Sequence, residues 1–140
     1  MTIKAACLQV QTYMRSLSGI RTAPAYPPDS ASAFPFCVTF PETGIIEIGP
    51  PEVLTALHNI TIEIHVGRKD LPKDIEAVIG FAETIPNLLV KKLKDDSYWN
   101  NTITTFTNIT YTFGPLEWGG IGTIGFRFSV NGVKIKTTIT

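Results

Sequence analysis

The chain has 140 residues, the usual length of one domain, and its hydrophobic fraction of 44% suffices for a core without disulfide or metal support. Twelve basic and twelve acidic residues give a formal net charge of zero. This balance excludes a strong general attraction to nucleic acid or to an anionic membrane surface. We therefore expect a single domain over residues 1–140, with no membrane partner and no specific binding to DNA.

An amphipathic helix is predicted at the N-terminus, where apolar residues recur at helical spacing. They are Ile3, Cys7, Val10, Met14, Leu17 and Ile20. Gly19 marks the expected end of this helix. The segment lacks the continuous apolar stretch of a signal peptide, and no run in the chain is long enough to span a bilayer. We expect synthesis in the cytoplasm.

A proline-rich surface excursion is predicted over residues 22–34. Its opening, "TAPAYPPDSAS", combines three prolines with serine and aspartate. Prolines remove backbone donors and oppose both helix and sheet ladder, and their regular spacing favours an extended path.

Alternating apolar residues predict strands in the next part of the chain. "FPFCVTF" and "TGIIEIG" are predicted to be two short strands joined by a turn over Pro41 to Gly44. The strongest strand signal follows, and its apolar members are expected to face the core. They are Ile60, Ile62, Ile64 and Val66, alternating with Asn59, Thr61, Glu63 and His65.

A central helix is predicted after this strand. Asp70 is its expected N-cap, and Pro72 falls in its first turn, where proline is tolerated. Thr84 and Pro86 repeat this pattern. Pro86 is therefore predicted to kink the helix or break it into two pieces.

From Thr102 onward the pattern is that of strands. Asn131-Gly132 is the expected turn of a closing hairpin, and the alternative is one long strand with a bulge at the glycine. Strands separated by segregated helices predict an α+β fold. The expected architecture is one mostly antiparallel or mixed sheet, with the N-terminal and central helices packed on it.

One short segment holds both histidines and is the first candidate for chemistry. Glu63 and His65 share a strand face, whereas His58 has the opposite parity. Zinc needs three or four ligands, so no metal is expected, and the Glu63/His65 face is predicted to be solvated or to contact a partner. Neither histidine is expected beside a nucleophile.

No cofactor is expected either. Residues 120–125 match the dinucleotide pattern G-x-G-x-x-G, but an alternating strand follows where that mechanism requires a helix.

Other residues are candidates for partner contacts. Trp99 and Trp118 lie in turn-like surroundings, where an aromatic ring most often closes a loop onto the core and otherwise marks an interface. The charged segment Arg68-Lys69-Asp70 follows the strand predicted to end at Val66. We expect it to form either a solvated turn or a subunit contact. The full candidate interface is Glu63, His65, Arg68, Lys69, Asp70, Trp99 and Trp118.

The whole chain resembles the tail terminator, or tail completion, proteins of long-tailed bacteriophages. Three stretches carry the resemblance: the N-terminal helix running into "GIRTAPAYPPDSASAFPFCVTFPETG", the strand-to-helix segment "LHNITIEIHVGRKDLPKDIEAV", and the closing β-region "NITYTFGPLEWGGIGTIGFRFSVNGVKIK". They are patterns of architecture and not catalytic signatures.

The resemblance implies a virion protein that is not an enzyme. Such a protein would form a hexameric ring at the head-proximal end of the tail tube, where it would stop tube polymerisation. Its partners would be its own copies, the tail tube protein, the head-completion or connector proteins, and the sheath protein if the tail is contractile. DNA would pass through the lumen without specific binding.

Three alternatives stay open at this point. The first is another head–tail joining or tube-like subunit. The second is a small cytoplasmic ligand-binding module or enzyme using His58, Glu63 and His65. The third is a DNA-binding protein that uses the lysines at 91, 92 and 94, which would bind in a salt-sensitive way.

Overall fold

The computed structural model describes residues 2–49, 53–67 and 71–138. The elements, in chain order, are α1 (Ile3–Arg15), β1 (Phe36–Gly49), β2 (Val53–Val66), α2 (Leu71–Val78), α3 (Phe81–Asp95), α4 (Ser97–Asn101), β3 (Asn108–Trp118) and β4 (Ile121–Thr138). The strands form one antiparallel sheet in the order β1-β2-β4-β3. The predicted α+β class is confirmed.

Helix α1 has the predicted amphipathic character. The Thr2 hydroxyl caps its first turn by accepting a hydrogen bond from the Ala5 N–H at 3.0 Å. Its buried face includes Ala6, Val10 and Met14, which belong to the core shared with the sheet.

One face of the sheet carries the core and faces the helices. The predicted inward residues of β2 lie there together with alternate residues of β4 and the buried sides of α2 and α3. These are Ile60, Ile62, Ile64, Val66, Phe126, Phe128, Val130, Val78, Ile85 and Leu89. The predicted inward orientation of the β2 stripe is confirmed.

The predicted turn over Pro41 to Gly44 is wrong. β1 continues through this stretch, and a bulge absorbs one residue: Pro41 pairs with Ile60 and Thr43 with Asn59, leaving Glu42 extra. Pairing with β2 over the whole strand outweighs the local turn preference of the sequence, because each added residue extends the ladder.

The predicted hairpin at Asn131-Gly132 is also wrong, and the alternative of one long bulged strand is confirmed. β4 pairs with β2 on both sides of this site, through Val130 with Ile60 and Val133 with His58. Gly132 has a φ of +69°, and a Cβ there would overlap the Thr107 hydroxyl. Glycine is needed for the bulge and the close packing, not for a turn.

The central helix does break in two, but not at Pro86. α2 ends at Val78, and α3 begins after Gly80, which is a weak helix former. The Glu83 and Thr84 N–H groups both donate to the Gly80 carbonyl at 3.1 Å, starting the new helix. Pro86 lies inside α3, which continues past it.

The proline-rich excursion contains neither helix nor extended ladder, as predicted. It is held against the body of the protein at several points. Gln11 donates to the Pro24 carbonyl at 2.8 Å, Arg15 donates to the Ala23 carbonyl at 3.1 Å, and Trp118 donates to the Pro28 carbonyl at 2.9 Å. The segment therefore wraps from α1 to the far end of β3.

The strand predicted from Thr102 begins only at Asn108. Before it, α4 is a left-handed turn in which every residue from Ser97 to Asn101 has a positive φ. Trp99 is fully buried there and donates to the Leu89 carbonyl at 2.9 Å. Burial of the indole stabilises a backbone conformation that L-residues otherwise avoid.

We expect Gly125→Ala to lower the free energy of unfolding by about 3 kcal/mol, because a Cβ at Gly125 would overlap the backbone carbonyl of Ile64. Gly114 pairs directly with Gly125, yet a Cβ there would meet nothing within 4 Å. Gly114→Ala is the matched control and should change stability by less than about 1 kcal/mol. Urea denaturation followed by circular dichroism measures both, and equal effects would contradict this account of the close strand approach.

Candidate functional site

The sheet face opposite the helices carries a cluster of polar side chains. Glu63 and His65 lie on this face as predicted, with Val38 and Phe36 directly beside them on β1. Both are buried, and His65 is 0% exposed. The prediction that these two side chains are solvated or contact a partner is therefore wrong.

Hydrogen bonds connect this cluster across the sheet. His65 lies with Nε2 2.8 Å from the Glu63 Oε1 and Nδ1 2.6 Å from the Thr123 Oγ1. The Arg127 guanidinium is 3.2 Å from the second Glu63 oxygen and also pairs with Glu42. The cluster thus connects β2 to β4 and, through Glu42, to the bulge of β1.

Aromatic rings cover the His65 end of the cluster. The Trp118 ring centroid lies 5.9 Å from those of His65 and Phe36 and 6.2 Å from that of Phe40. The Trp118 indole N–H donates to the Pro28 carbonyl. The end of β3 and the proline-rich excursion together close a second, smaller core on this face.

Thr123, His65 and Glu63 form a hydrogen-bonded chain that resembles the nucleophile, base and orienting carboxylate of a catalytic triad. The prediction that neither histidine lies beside a nucleophile is wrong, since the Thr123 hydroxyl contacts His65. Thr123 is 1% exposed, however, so in this conformation no substrate reaches its hydroxyl. The geometry supports a structural role, in which buried polar groups are satisfied across three strands.

The three-residue site of His58, Glu63 and His65 does not form. In the alternation of β2, His58 falls with Ile60 and not with Glu63 and His65, as the sequence predicted. It pairs with Val133 of β4. Burial lowers the pKa of His58 from its ordinary value. Within the described residues no group of three or more His, Cys, Asp or Glu side chains could hold a metal ion.

The remaining predicted contact residues divide into three cases. Arg68, Lys69 and Asp70 lie outside the described residues. Trp99 is fully buried by its own chain, which contradicts its prediction as a contact surface. Trp118 is half-buried in the aromatic cover, and its contact with a partner stays a prediction.

Sequence reasoning missed Thr123, Arg127 and Glu42. The alternation of β4 placed Thr123 and Arg127 on one face, but strand register decides which residues of β2 they meet. Register is set by pairing between segments far apart in the chain, which a single sequence does not reveal.

A second notable region is the distal part of the β1–β2 pair, which we term the arm (residues 42–49 and 53–59). Three isoleucines of β1 are largely exposed here: Ile45 at 64%, Ile46 at 62% and Ile48 at 80%. Leu57, paired with Ile45, is exposed as well. The arm thus presents apolar side chains on both of its faces.

A third region is an apolar groove beside β1, between α1 and the proline-rich excursion. Its volume is about 240 Å³. Lys4 lies at this groove with its Nζ 5.9 Å from the centroid of the Tyr26 ring. The lining consists of Ile3, Lys4, Cys7, Leu8, Ala25, Tyr26, Pro27, Thr39, Phe40 and Pro41.

We expect Thr123→Val to lower the free energy of unfolding by about 1–3 kcal/mol, because it leaves the buried His65 Nδ1 without its hydroxyl partner. Thr112→Val is the control, since Thr112 is exposed on β3 and should change stability by less than about 0.5 kcal/mol. Denaturant titration of both variants measures the difference. Equal stabilities would show that the buried hydrogen bond contributes nothing.

The two cysteines should react slowly with iodoacetamide in the native protein. Burial raises the pKa of the Cys7 thiol to about 11 and that of Cys37 well above its usual range. At pH 8 we expect alkylation on the order of 100-fold slower than that of a free thiol, because the thiolate is the reactive form. The rate at Cys7 should rise about tenfold per pH unit between pH 8 and pH 10, since this range lies below its pKa.

Mass spectrometry of alkylated peptides measures each cysteine separately, and denatured protein is the control in which both should react fully. Rapid native alkylation of Cys37 would contradict its position in the core.

Comparison with known proteins assigns no family to this chain: no family model matches it, and no curated protein has significantly similar sequence. In the part of the chain that the structure describes, no helix has both the length and the apolar character needed to cross a membrane.

Proposed function

We propose that this protein is a non-enzymatic structural subunit of a phage virion. It forms a ring at the head-proximal end of the tail tube, ends tube polymerisation there and presents a docking surface to the head-completion or neck proteins. The observation that carries the proposal is the exposed apolar arm. The full-length resemblance to tail terminator proteins supplies the place of the ring in the virion.

The arm is poorly suited to a protein that stays monomeric. Ile45, Ile46 and Ile48 expose most of their side chains within four residues of one strand. Isolated exposed apolar residues are normal, but a contiguous group of them marks a contact surface. The arm is therefore the part of the molecule that gains most from burial against another protein.

The edges of the sheet favour the same conclusion. β1 is an edge strand, and the proline-rich excursion pairs with it only at its start, where the Cys37 N–H donates to the Thr22 carbonyl at 2.8 Å. In the described residues, the outer edge of β1 has no strand partner past the bulge. Such an edge is open to pairing with a neighbouring chain.

A contact between two different surfaces of the same chain repeats from copy to copy and closes into a ring when the rotation allows it. One side of that ring would bind the tail tube, and the other the head-completion proteins. The zero net charge suits a lumen through which DNA passes without being held.

The buried histidine cluster weighs against the enzymatic alternative. An enzyme that used Glu63 and His65 would need an open path to both. Glu63 lies at a surface pocket beside Arg127, but His65 is 0% exposed and the Trp118 ring packs against it. Their hydrogen bonds and ion pair instead connect β2 to β4.

Electron microscopy and light scattering of the purified protein, alone and with tail tubes, test the proposal. We expect rings of uniform size, bound at one end of the tubes. Monomers in every condition, including with tubes present, would overturn it. Rings that stack on themselves would instead indicate a tube-like subunit.

We expect Ile48→Lys to abolish ring formation without changing the thermal unfolding midpoint, because this side chain is 80% exposed and contributes little to the fold. Val90→Lys, on the exposed side of α3, is the matched control and should still form rings. Light scattering measures assembly, and circular dichroism measures the unfolding midpoint. Normal rings from Ile48→Lys would remove the face of the arm that carries Ile48 from the interface.

A further inference from the structure

The arm and the apolar groove are complementary in polarity and charge. The groove has room for one or two branched aliphatic side chains at about 240 Å³, and it carries a lysine. The arm carries exposed isoleucines and a glutamate, Glu47. Neither surface is filled by the described part of its own chain.

We propose that the arm of one copy docks into the groove of the next copy, with Ile45 in the groove and Glu47 paired with Lys4. This inference rests on the proposed function in requiring that copies of the chain assemble. It goes further by naming the two surfaces that meet and the ion pair that fixes their register.

Spacing along the arm suits this contact. Ile45 and Glu47 are two residues apart in β1 and lie on the same face, about 6.6 Å apart by strand rise. With Ile45 in the groove, the Glu47 carboxylate would therefore lie near the groove rim, where Lys4 is exposed.

Charge is segregated between the two surfaces. Residues 2–28, which form α1 and much of the groove, contain the basic residues Lys4, Arg15 and Arg21 but no acidic residue. β1 contains two acidic residues, Glu42 and Glu47, and no basic one. Like surfaces would therefore repel, whereas the arm of one copy attracts the α1 side of another.

Glu47 is the acidic group available for this contact. Glu42 is already paired with Arg127 and accepts a hydrogen bond from Thr61 at 2.7 Å. Glu47 is exposed and has no ion-pair partner in the described part of the chain. The lysines on the same face of the arm, Lys134 and Lys136, lie on β4, two strands in from the outer edge.

The arm cannot fill the groove of its own chain. Pro41 lies at the groove, and the extended strand carries Ile45 about 13 Å and Glu47 about 20 Å away from it, four and six positions along. The contact must be made between copies. Because its two sides are different surfaces, it is heterologous and repeats from copy to copy.

Charge reversal tests the contact. Lys4→Glu and Glu47→Lys should each raise the protein concentration needed for half-maximal ring assembly by at least about tenfold, because each places like charges at the contact. The double variant Lys4→Glu/Glu47→Lys should restore assembly to near the wild-type concentration. Light scattering and electron microscopy measure assembly, and circular dichroism confirms that each variant is folded.

Carbodiimide cross-linking of the wild-type rings gives an independent readout. We expect an amide bond between Lys4 and Glu47 of different copies, identified by mass spectrometry of the cross-linked peptide. Glu47→Gln removes the carboxylate without reversing charge, and it should eliminate this peptide.

The outcomes separate the two proposals. Rings that form in wild type and in both single variants alike, without the Lys4–Glu47 peptide, overturn the arm-in-groove contact and leave the ring proposal standing. Wild-type protein that never assembles overturns both. Rescue by the double variant supports both.

Discussion

Burial of β2 on both of its faces is the constraint on which the rest of the structure depends. From Ile60 to Val66 every side chain of this strand is buried. One face packs against the helices through an aliphatic stripe, and the other carries Glu63 and His65, with Trp118 packed against His65. A strand with polar side chains can be buried on both faces only if its neighbours satisfy them, and Thr123 and Arg127 of β4 do so.

The other half of this strand, residues 53–59, is mostly half-buried, and the part of β1 that pairs with it is exposed. Past the bulges opposite Asn59, the residues of β1 from Glu42 to Ile48 are all exposed. The molecule thus consists of a body that satisfies its own polar groups and an arm that leaves apolar surface uncovered. In the proposed ring this division has a purpose, since the body keeps its shape while the arm reaches the next copy.

Local sequence patterns predicted the elements well and their connections poorly. The alternation from Ile60 to Val66 identified the core face of β2, and helical spacing identified α1, because both patterns reflect burial along one element. Pro41 to Gly44 and Asn131-Gly132 resemble turns locally but are bulges in long strands, since pairing with β2 outweighs local preference. Parity placed Glu63 and His65 together, but Trp118, which packs against His65, is distant in the chain and its position could not be inferred.

Hydrogen–deuterium exchange at two protein concentrations tests most directly whether the arm needs a second copy to be covered. At a concentration too low for assembly, we expect the amides of residues 42–49 to exchange rapidly and those of residues 60–66 to be protected. At a concentration that forms rings, residues 42–49 should become protected, together with the part of α1 around Lys4. Exchange of the arm that is equally fast in both states would contradict the account.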